Sequence, residues 1–131
     1  MKLITEEKLR KKSLPFLLKL AQQKFNAFVR KRDEFDYCIS CGQNHTDYDA
    51  GHYVPQGKSS FLRFHEDNCH KEGKGCNSFD KFHLVGYRKN LIKKIGLEKV
   101  EWLEENRFTI KRWSKTELIE IINRYATNNK S

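Results

Sequence analysis

CISCG at residues 38–42 decides the fold of this chain, because it places two cysteines two residues apart in front of a glycine. This spacing is typical of a zinc knuckle, in which the glycine lets the backbone turn so that successive N–H groups face both thiolates. Six residues separate a second pair, Cys69 and Cys76, and the loop between them contains two glycines. Four thiolates would complete a tetrahedral zinc site, with His70 as a rival fourth ligand. The alternatives are buried cysteines without metal and a redox pair, although no βαβ pattern surrounds the motif.

The composition indicates one folded, basic chain. Its 131 residues suit a single domain, 12% of them are aromatic, and the formal net charge is +9. No apolar run reaches the length of a membrane span, and residues 1–7 lack the apolar stretch of a signal peptide. We therefore expect a cytoplasmic protein without membrane contact. Basic residues predominate in residues 1–34 and 77–131 and acidic ones in residues 35–76, which suits polyanion binding by the flanks or an ordinary solvated surface.

The spacing of apolar residues predicts an α+β fold in a single domain spanning residues 1–131. Ser13 and Pro15 begin an amphipathic helix within residues 13–34, whose opposite face is basic. Residues 35–95 are predicted as the core, and residues 96–131 as C-terminal helices. The individual elements are strands at 37–39, 51–54 and 61–64 and helices at 77–95, 97–103 and 114–125.

A second pattern occupies the predicted core. Asp49, His52, Asn68 and Asn77 follow one another in the order and rough spacing of a ββα-metal nuclease. Such a site needs a neutral histidine that accepts a proton from water and a turn asparagine that holds it. It also needs a carboxylate and a helix-start residue that hold one divalent cation at the scissile phosphate. Taken singly, the same residues are ordinary core, turn and helix-cap residues, and Asp47 is a rival to Asp49.

These motifs resemble those of the phage NinG recombination proteins, also called Rap, a branch of the HNH or His-Me finger endonucleases. The resemblance covers residues 13–125 and rests on CISCG, AGHYVP, NCH, CN, GYRKNLIKKIG and EKVEWLE. It implies a small zinc-stabilised ββα-metal, HNH-like unit flanked by an N-terminal helix and C-terminal helices. It also implies a phage- or prophage-encoded DNA endonuclease that cuts branched recombination intermediates with a structural Zn2+ and a catalytic Mg2+ or Mn2+.

The resemblance implies a role for each matching residue of the nuclease pattern. It makes His52 the general base, Asn68 the residue that orients it, and Asn77 the cation ligand at the start of a helix. Asp49 resembles the carboxylate ligand of related phage junction-resolving endonucleases. His83 stands where relatives are expected to have an asparagine, so it is an accessory ligand of the catalytic cation or a surface residue.

The zinc pattern departs from the family at one ligand. The matching positions are Cys38, Cys41 and Cys76. Relatives commonly carry a second CxxC that ends at Cys76, and here Gly73 stands at its first position. Either Cys69 or His70 is therefore expected to complete the site, or the site is degraded, and the nearby His45 is expected to be a polar turn residue.

Basic and aromatic side chains near the pattern are candidates for DNA contact. Lys58, Arg63 and Lys81 are predicted phosphate contacts, with a solvated surface role as the alternative. The aromatic candidates for stacking on unpaired bases are Tyr53, Phe61 and Phe64, with core packing as the alternative.

Two further functions compete with the endonuclease. A zinc-stabilised DNA-binding module would recognise branched or single-stranded DNA without cutting it, and the incomplete second CxxC favours this alternative. An adaptor would recruit a recombination protein through the acidic and aromatic residues 101–105. Symmetric resolution of a four-way junction would need two active sites and hence a homodimer, although no heptad pattern indicates one.

Overall fold

The computed structural model describes residues 5–128, with side chains described up to residue 126. It shows a small α+β protein in which six helices surround one two-stranded antiparallel sheet. The helices are α1 (Glu6–Arg10), α2 (Leu14–Arg32), α3 (Lys74–Phe79), α4 (His83–Ile95), α5 (Leu97–Glu105) and α6 (Lys115–Asn128), and the strands are β1 (Tyr48–His52) and β2 (Cys69–Gly73). None of the helices within these residues is long and apolar enough to cross a membrane.

Helix α2 forms where the sequence predicts it. The hydroxyl of Ser13 accepts a hydrogen bond from the backbone N–H of Phe16 at 3.3 Å, and Pro15 occupies the first turn. Residues four apart share one face of a helix, and the buried face consists of Leu17, Ala21, Phe25 and Val29. This face packs against α6 and one side of the sheet, which forms the first hydrophobic core.

Helices α4 and α5 form a second core with the loop that follows β1. Gly96 has a φ of +95°, which allows the chain to turn between the two helices. The buried side chains of this core are Ile39, Tyr53, Val54, Leu62, Tyr87, Leu91, Val100 and Leu103. The hydroxyl of Tyr87 donates to the carbonyl of Gly51 at 2.6 Å, so α4 is joined directly to β1.

The sheet determines which candidate residues share an end of the hairpin. In the antiparallel register Tyr48 pairs with Gly73 at one end, and His52 pairs with Cys69 at the other. Residues 53–68 connect the strands and include two short 3-10 turns, Ser60–Leu62 and Glu66–Asn68. Five paired residues place the two ends about 13 Å apart.

The structure differs from the sequence prediction around this hairpin. The predicted helix 77–95 is interrupted, because α3 ends at Phe79 and the Asp80 carboxylate accepts the Phe82 N–H at 2.9 Å in a turn. The strand predicted at 51–54 lies instead at Tyr48–His52. Residues 37–39 and 61–64 are not strands, since the former joins the CISCG turn and the latter overlaps a 3-10 turn.

Candidate functional site

Four side chains at the Tyr48–Gly73 end of the hairpin form a cluster that could hold a metal ion. The ligand atoms of Cys38, Cys41, His45 and Cys76 all lie within 4.8 Å of one another. Nε2 of His45 lies 3.0 Å from Sγ of Cys41 and 3.7 Å from Sγ of Cys76. Three thiolates and one imidazole are a common ligand set of structural zinc. We refer to these four residues as the Cys3His cluster.

The CISCG turn prepares its first thiol for metal binding. Gly42 adopts a φ of +74°, and its N–H donates to the carbonyl of Cys38 at 2.8 Å. The Gly73 N–H and the Ser40 hydroxyl each lie 3.2 Å from Sγ of Cys38. Although burial acts to raise it, these hydrogen bonds and those from the backbone of Ser40 and Cys41 lower the pKa of Cys38 to about 6. A thiolate, the form that binds metal, is therefore favoured.

The structure corrects both sequence candidates for the fourth ligand. Cys69 is fully buried at the far end of β2, where burial raises the pKa of its thiol. His70 is also buried, with Nδ1 3.7 Å from the Asp33 carboxylate and 2.9 Å from Nζ of Lys94. Neither belongs to the Cys3His cluster, because the extended strand carries them away from Gly73.

His45 and Gly73 explain how the cluster is completed. A Cβ atom on Gly73 would lie 2.6 Å from Cγ and Cδ2 of the His45 ring. The ring therefore fills the space beside the position where the family pattern places its cysteine. His45 follows Cys41 by four residues, a short spacing that could have identified it as a ligand.

His52 ends β1 and lies on the side of the sheet that faces α2. Its Nε2 lies 3.1 Å from the carbonyl oxygen of Arg63, and its ring centroid is 6.4 Å from that of Phe25. A carbonyl can only accept a hydrogen bond, so Nε2 carries the proton and Nδ1 is the unprotonated, basic nitrogen. Nδ1 lies 3.8 Å from Sγ of Cys69. Burial lowers the pKa of His52, which favours the neutral imidazole at neutral pH.

Asn68 holds the loop that fixes His52. This fully buried side chain accepts from the Val54 N–H at 2.9 Å and donates to the carbonyls of Val54 at 3.0 Å and Leu62 at 3.3 Å. Arg63, which follows Leu62 in the chain, supplies the carbonyl that contacts His52. Asn68 therefore holds the loop that contacts His52, and within the described part of the chain its side chain makes no hydrogen bond to the His52 ring.

The structure brings together Asp49 and Asn77. Nδ2 of Asn77 donates to Oδ2 of Asp49 at 3.0 Å, and Nζ of Lys74 lies 2.7 Å from Oδ1. Partial burial disfavours the ionised carboxylate, but these two hydrogen bonds and the charges of Lys74 and Arg30 outweigh that effect and lower the pKa of Asp49. The carboxylate is therefore ionised at neutral pH and is already paired with a cation.

His83 pairs with a carboxylate that sequence reasoning missed. Its Nδ1 lies 2.6 Å from Oε2 of Glu72, which is fully buried and faces Asp49 across the two strands. Oε1 of Glu72 has no hydrogen-bond partner among the described residues, and a Cβ atom on Gly51 would come within 2.2 Å of it. Over residues 5–126, no hydrogen bond joins His52 or His83 to Asp49 or Asn77.

The predicted DNA contacts divide into exposed and engaged side chains. Lys58 and Lys81 are exposed, whereas Nε of Arg63 donates to Oε1 of Gln22 at 2.8 Å. Tyr53 and Phe64 are buried, and Phe61 lies partly buried with its ring 6.0 Å from that of Trp102. Tyr53 also hydrogen-bonds to Glu104, which lies in the acidic segment considered for partner binding.

Comparison with protein families identifies the class to which this fold and site belong. A family model described as Bacteriophage Lambda NinG protein matches residues 3–131, and the chain therefore belongs to the NinG family.

Individual relatives come from several bacteriophages. The chain is 44% identical to Protein ninG of Escherichia phage lambda over 100 residues, or 76% of this chain. It is 41% identical to Protein ninG of Escherichia phage 933W over 119 residues, or 90% of this chain, and 42% identical to that of Salmonella phage P22 over 100 residues. The aligned part is 49% of the lambda and P22 proteins and 59% of the 933W protein, so the chain spans between about half and three-fifths of these relatives. No solved structure matches this chain.

Proposed function

We propose that this protein is a divalent-metal-dependent DNA endonuclease of the ββα-metal, His-Me finger type, stabilised by zinc in the Cys3His cluster. The observation that carries the proposal is the orientation of His52 by the Arg63 carbonyl. This contact fixes the proton on Nε2 and leaves Nδ1 unprotonated beside Sγ of Cys69, which is the tautomer that a general base needs. The low pKa of His52 also supports the neutral, proton-accepting form.

In this proposal the chain's own residues activate and direct the water nucleophile. Nδ1 of His52 takes a proton from the water that attacks the phosphodiester, and the Arg63 carbonyl accepts a hydrogen bond from Nε2–H throughout. Asn68 keeps the loop, and hence that carbonyl, in position. The buried ring of Phe25 lies beside the imidazole, with the two ring centroids 6.4 Å apart.

Asp49 and Asn77 are the residues that would hold the catalytic Mg2+ or Mn2+, with His83 as an accessory ligand. The donor chemistry fits, because the ionised Asp49 carboxylate lies beside the Asn77 amide. Rotating this amide by about 180° would turn its oxygen, a suitable cation ligand, toward Asp49. The Lys74 ammonium already pairs with this carboxylate, and its exposed side chain is free to move aside. When bound, the cation neutralises charge on the phosphate and its leaving oxygen.

Branched recombination DNA is the proposed substrate. The net charge of +9 and membership of the NinG family support this choice. A non-catalytic, zinc-stabilised DNA-binding protein is the second candidate. It is favoured by the partial burial of His52 and by its lack of hydrogen bonds to Asp49 and Asn77 among the described side chains.

A cleavage assay separates these two functions. Labelled linear, forked and four-way DNA are incubated with Mg2+ or Mn2+ and either the full chain, His52→Ala or His65→Ala. We expect metal-dependent cutting that prefers branched DNA and falls at least about 100-fold in His52→Ala. His65→Ala is the matched control, since His65 is another partly buried imidazole whose ring packs on Trp102. Tight binding without cutting in either metal would establish the non-catalytic function.

A further inference from the structure

Two phenylalanines project from the segment that joins α3 and α4. Phe79 is 85% exposed and Phe82 is 76% exposed, although rings of this size normally bury much of their surface. Neither ring contacts another aromatic ring or a cation within the described part of the chain. Val85, at 70% exposed, extends the same apolar surface by one helical turn. Several exposed apolar side chains close together in one short stretch are typical of a binding site.

The two rings flank the residues proposed to hold the catalytic cation. Phe79 follows Asn77 by two residues at the end of α3, and Phe82 directly precedes His83 at the start of α4. The turn between them is ordered by the Asp80 carboxylate, which accepts the Phe82 N–H at 2.9 Å. A ligand on these rings would therefore lie beside the site of phosphodiester cutting.

The charge around the rings favours a nucleic acid as this ligand. Lys81 lies between the two rings and is exposed, and the exposed Lys74 and Lys89 lie in the flanking helices α3 and α4. The Asp80 carboxylate is the acidic group between the rings, and the turn hydrogen bond already engages it. Phosphates match these ammonium groups, and unpaired bases supply the flat apolar faces that match exposed aromatic rings. Paired bases inside a duplex do not present such faces.

The aromatic residues suggested by the sequence cannot perform this role in the structure. Tyr53 and Phe64 are at most 9% exposed, and Phe61 is partly covered by Trp102. The exposed rings of the α3–α4 segment are the ones available beside the candidate site.

We propose that Phe79 and Phe82 stack on unpaired bases at a DNA branch and thereby direct the protein to branched substrates. This inference rests on the proposed function, because it concerns the substrate of the same site. It assigns the preference for branches to two side chains that take no part in the hydrolytic step.

Equilibrium binding tests the inference without requiring catalysis. Fluorescence anisotropy compares forked DNA, which has unpaired bases at the junction, with fully paired duplex of equal length, in the absence of added divalent metal. The proteins are the full chain, Phe79→Ala/Phe82→Ala, Phe79→Leu/Phe82→Leu, and Phe108→Ala as the control. Phe108 is 65% exposed, lies between α5 and α6, and is distant in the chain from Asn77 and His83. A 2-aminopurine placed at the junction reports stacking directly by quenching of its fluorescence.

We expect the double alanine variant to bind forked DNA at least about fivefold more weakly, to bind duplex within about twofold, and to lose the quenching. The double leucine variant should behave in the same way, because leucine keeps apolar area but cannot stack. Equal weakening on both DNAs, unchanged binding by the alanine variant, or full retention by the leucine variant would overturn the proposal. An unchanged thermal unfolding curve confirms that the variants fold.

The binding and cutting assays fail independently. If the full chain cuts no DNA but prefers forks in binding, and the double variants lose that preference, the endonuclease proposal fails and the stacking inference stands. If the double alanine variant cuts forked and linear DNA with the same relative preference as the full chain, stacking is wrong and the endonuclease proposal stands.

Discussion

The two ends of the β1–β2 hairpin are held together by different means. At the Tyr48–Gly73 end, the Cys3His cluster combines Cys38 and Cys41 of the CISCG turn with His45, which follows that turn, and Cys76 of α3. At the His52–Cys69 end, the Asn68 side chain accepts the Val54 N–H and holds the loop, and the Arg63 carbonyl accepts a hydrogen bond from the imidazole. A metal ion would therefore stabilise one end, whereas neutral hydrogen bonds and packing stabilise the other.

Because of this difference, we expect metal binding at one end to affect mainly the stability of the fold, and hydrogen bonds at the other end to affect mainly the proposed cutting activity. Loss of metal from the Cys3His cluster should release α3 first, because none of the residues of this helix is buried. Loss of the Asn68 hydrogen bonds should loosen the loop that orients His52 while the cluster remains. Each of the following changes acts on one end.

The largest effect is expected from Cys76→Ser. Removing one of four ligands should abolish stoichiometric zinc binding and lower the free energy of unfolding by on the order of 5 kcal/mol. Elemental analysis of protein purified without chelator and thermal unfolding measure these changes. Cys69→Ser is the matched control and should keep its zinc, since Cys69 lies outside the cluster. Loss of zinc in Cys69→Ser alone would contradict the ligand assignment.

Asn68→Ala should have the second largest effect, at the opposite end of the hairpin. It removes three hydrogen bonds and leaves the buried Val54 N–H unpaired, which should cost about 2–4 kcal/mol. Zinc content should not change, whereas cutting should fall more than DNA binding. Asn90→Ala, which removes one hydrogen bond to the Ile39 carbonyl, is the control and should cost about 1 kcal/mol. Intact cutting by a folded Asn68→Ala protein would show that Asn68 is not needed to position His52.

A smaller effect is expected from Gly73→Ala. The added Cβ would meet the His45 ring, so zinc affinity, measured by competition with a chromophoric chelator, should fall roughly tenfold. Gly75→Ala offers a matched control, because its Cβ would meet nothing within 4 Å. The combination Gly73→Cys with His45→Ala should recover affinity by returning a thiolate to the family position. If the Gly73→Cys/His45→Ala protein binds zinc no better than His45→Ala, and Gly73→Ala binds zinc normally, His45 does not replace the cysteine of the family pattern.

The smallest change is a shift with pH at the His52 end. Because the pKa of His52 lies below its ordinary value of 6.5, the neutral base persists as the pH falls to that value. The cutting rate should fall on the acid side with a midpoint below pH 6.5, as the folded protein binds a proton. The unfolded chain binds that proton first, so His52 also makes stability rise with pH across the same range. Activity lost with a midpoint above pH 6.5 would contradict this prediction.

Sequence reasoning succeeded where the chemistry is local. The cap at Ser13 and the four-residue spacing of apolar residues predict α2, and CxxC followed by Gly42 predicts the turn that carries two ligands. It failed for the fourth ligand, because strand register and the space beside Gly73 decide which side chain reaches the cluster. It also missed Glu72, since nothing in the chain order shows that this carboxylate is buried against His83.

The sequence by itself determined the turn, the caps and the amphipathic faces, because these depend on residues within one or two helical turns of one another. It also carried the ordered pattern from Asp49 to Asn77 that identifies the candidate site. Only the tertiary structure decided that His45 joins the cysteines, that the Arg63 carbonyl sets the tautomer of His52, and that Phe79 and Phe82 remain exposed. These outcomes depend on which atoms distant in sequence occupy the same space, a question that register and packing answer and local propensity does not.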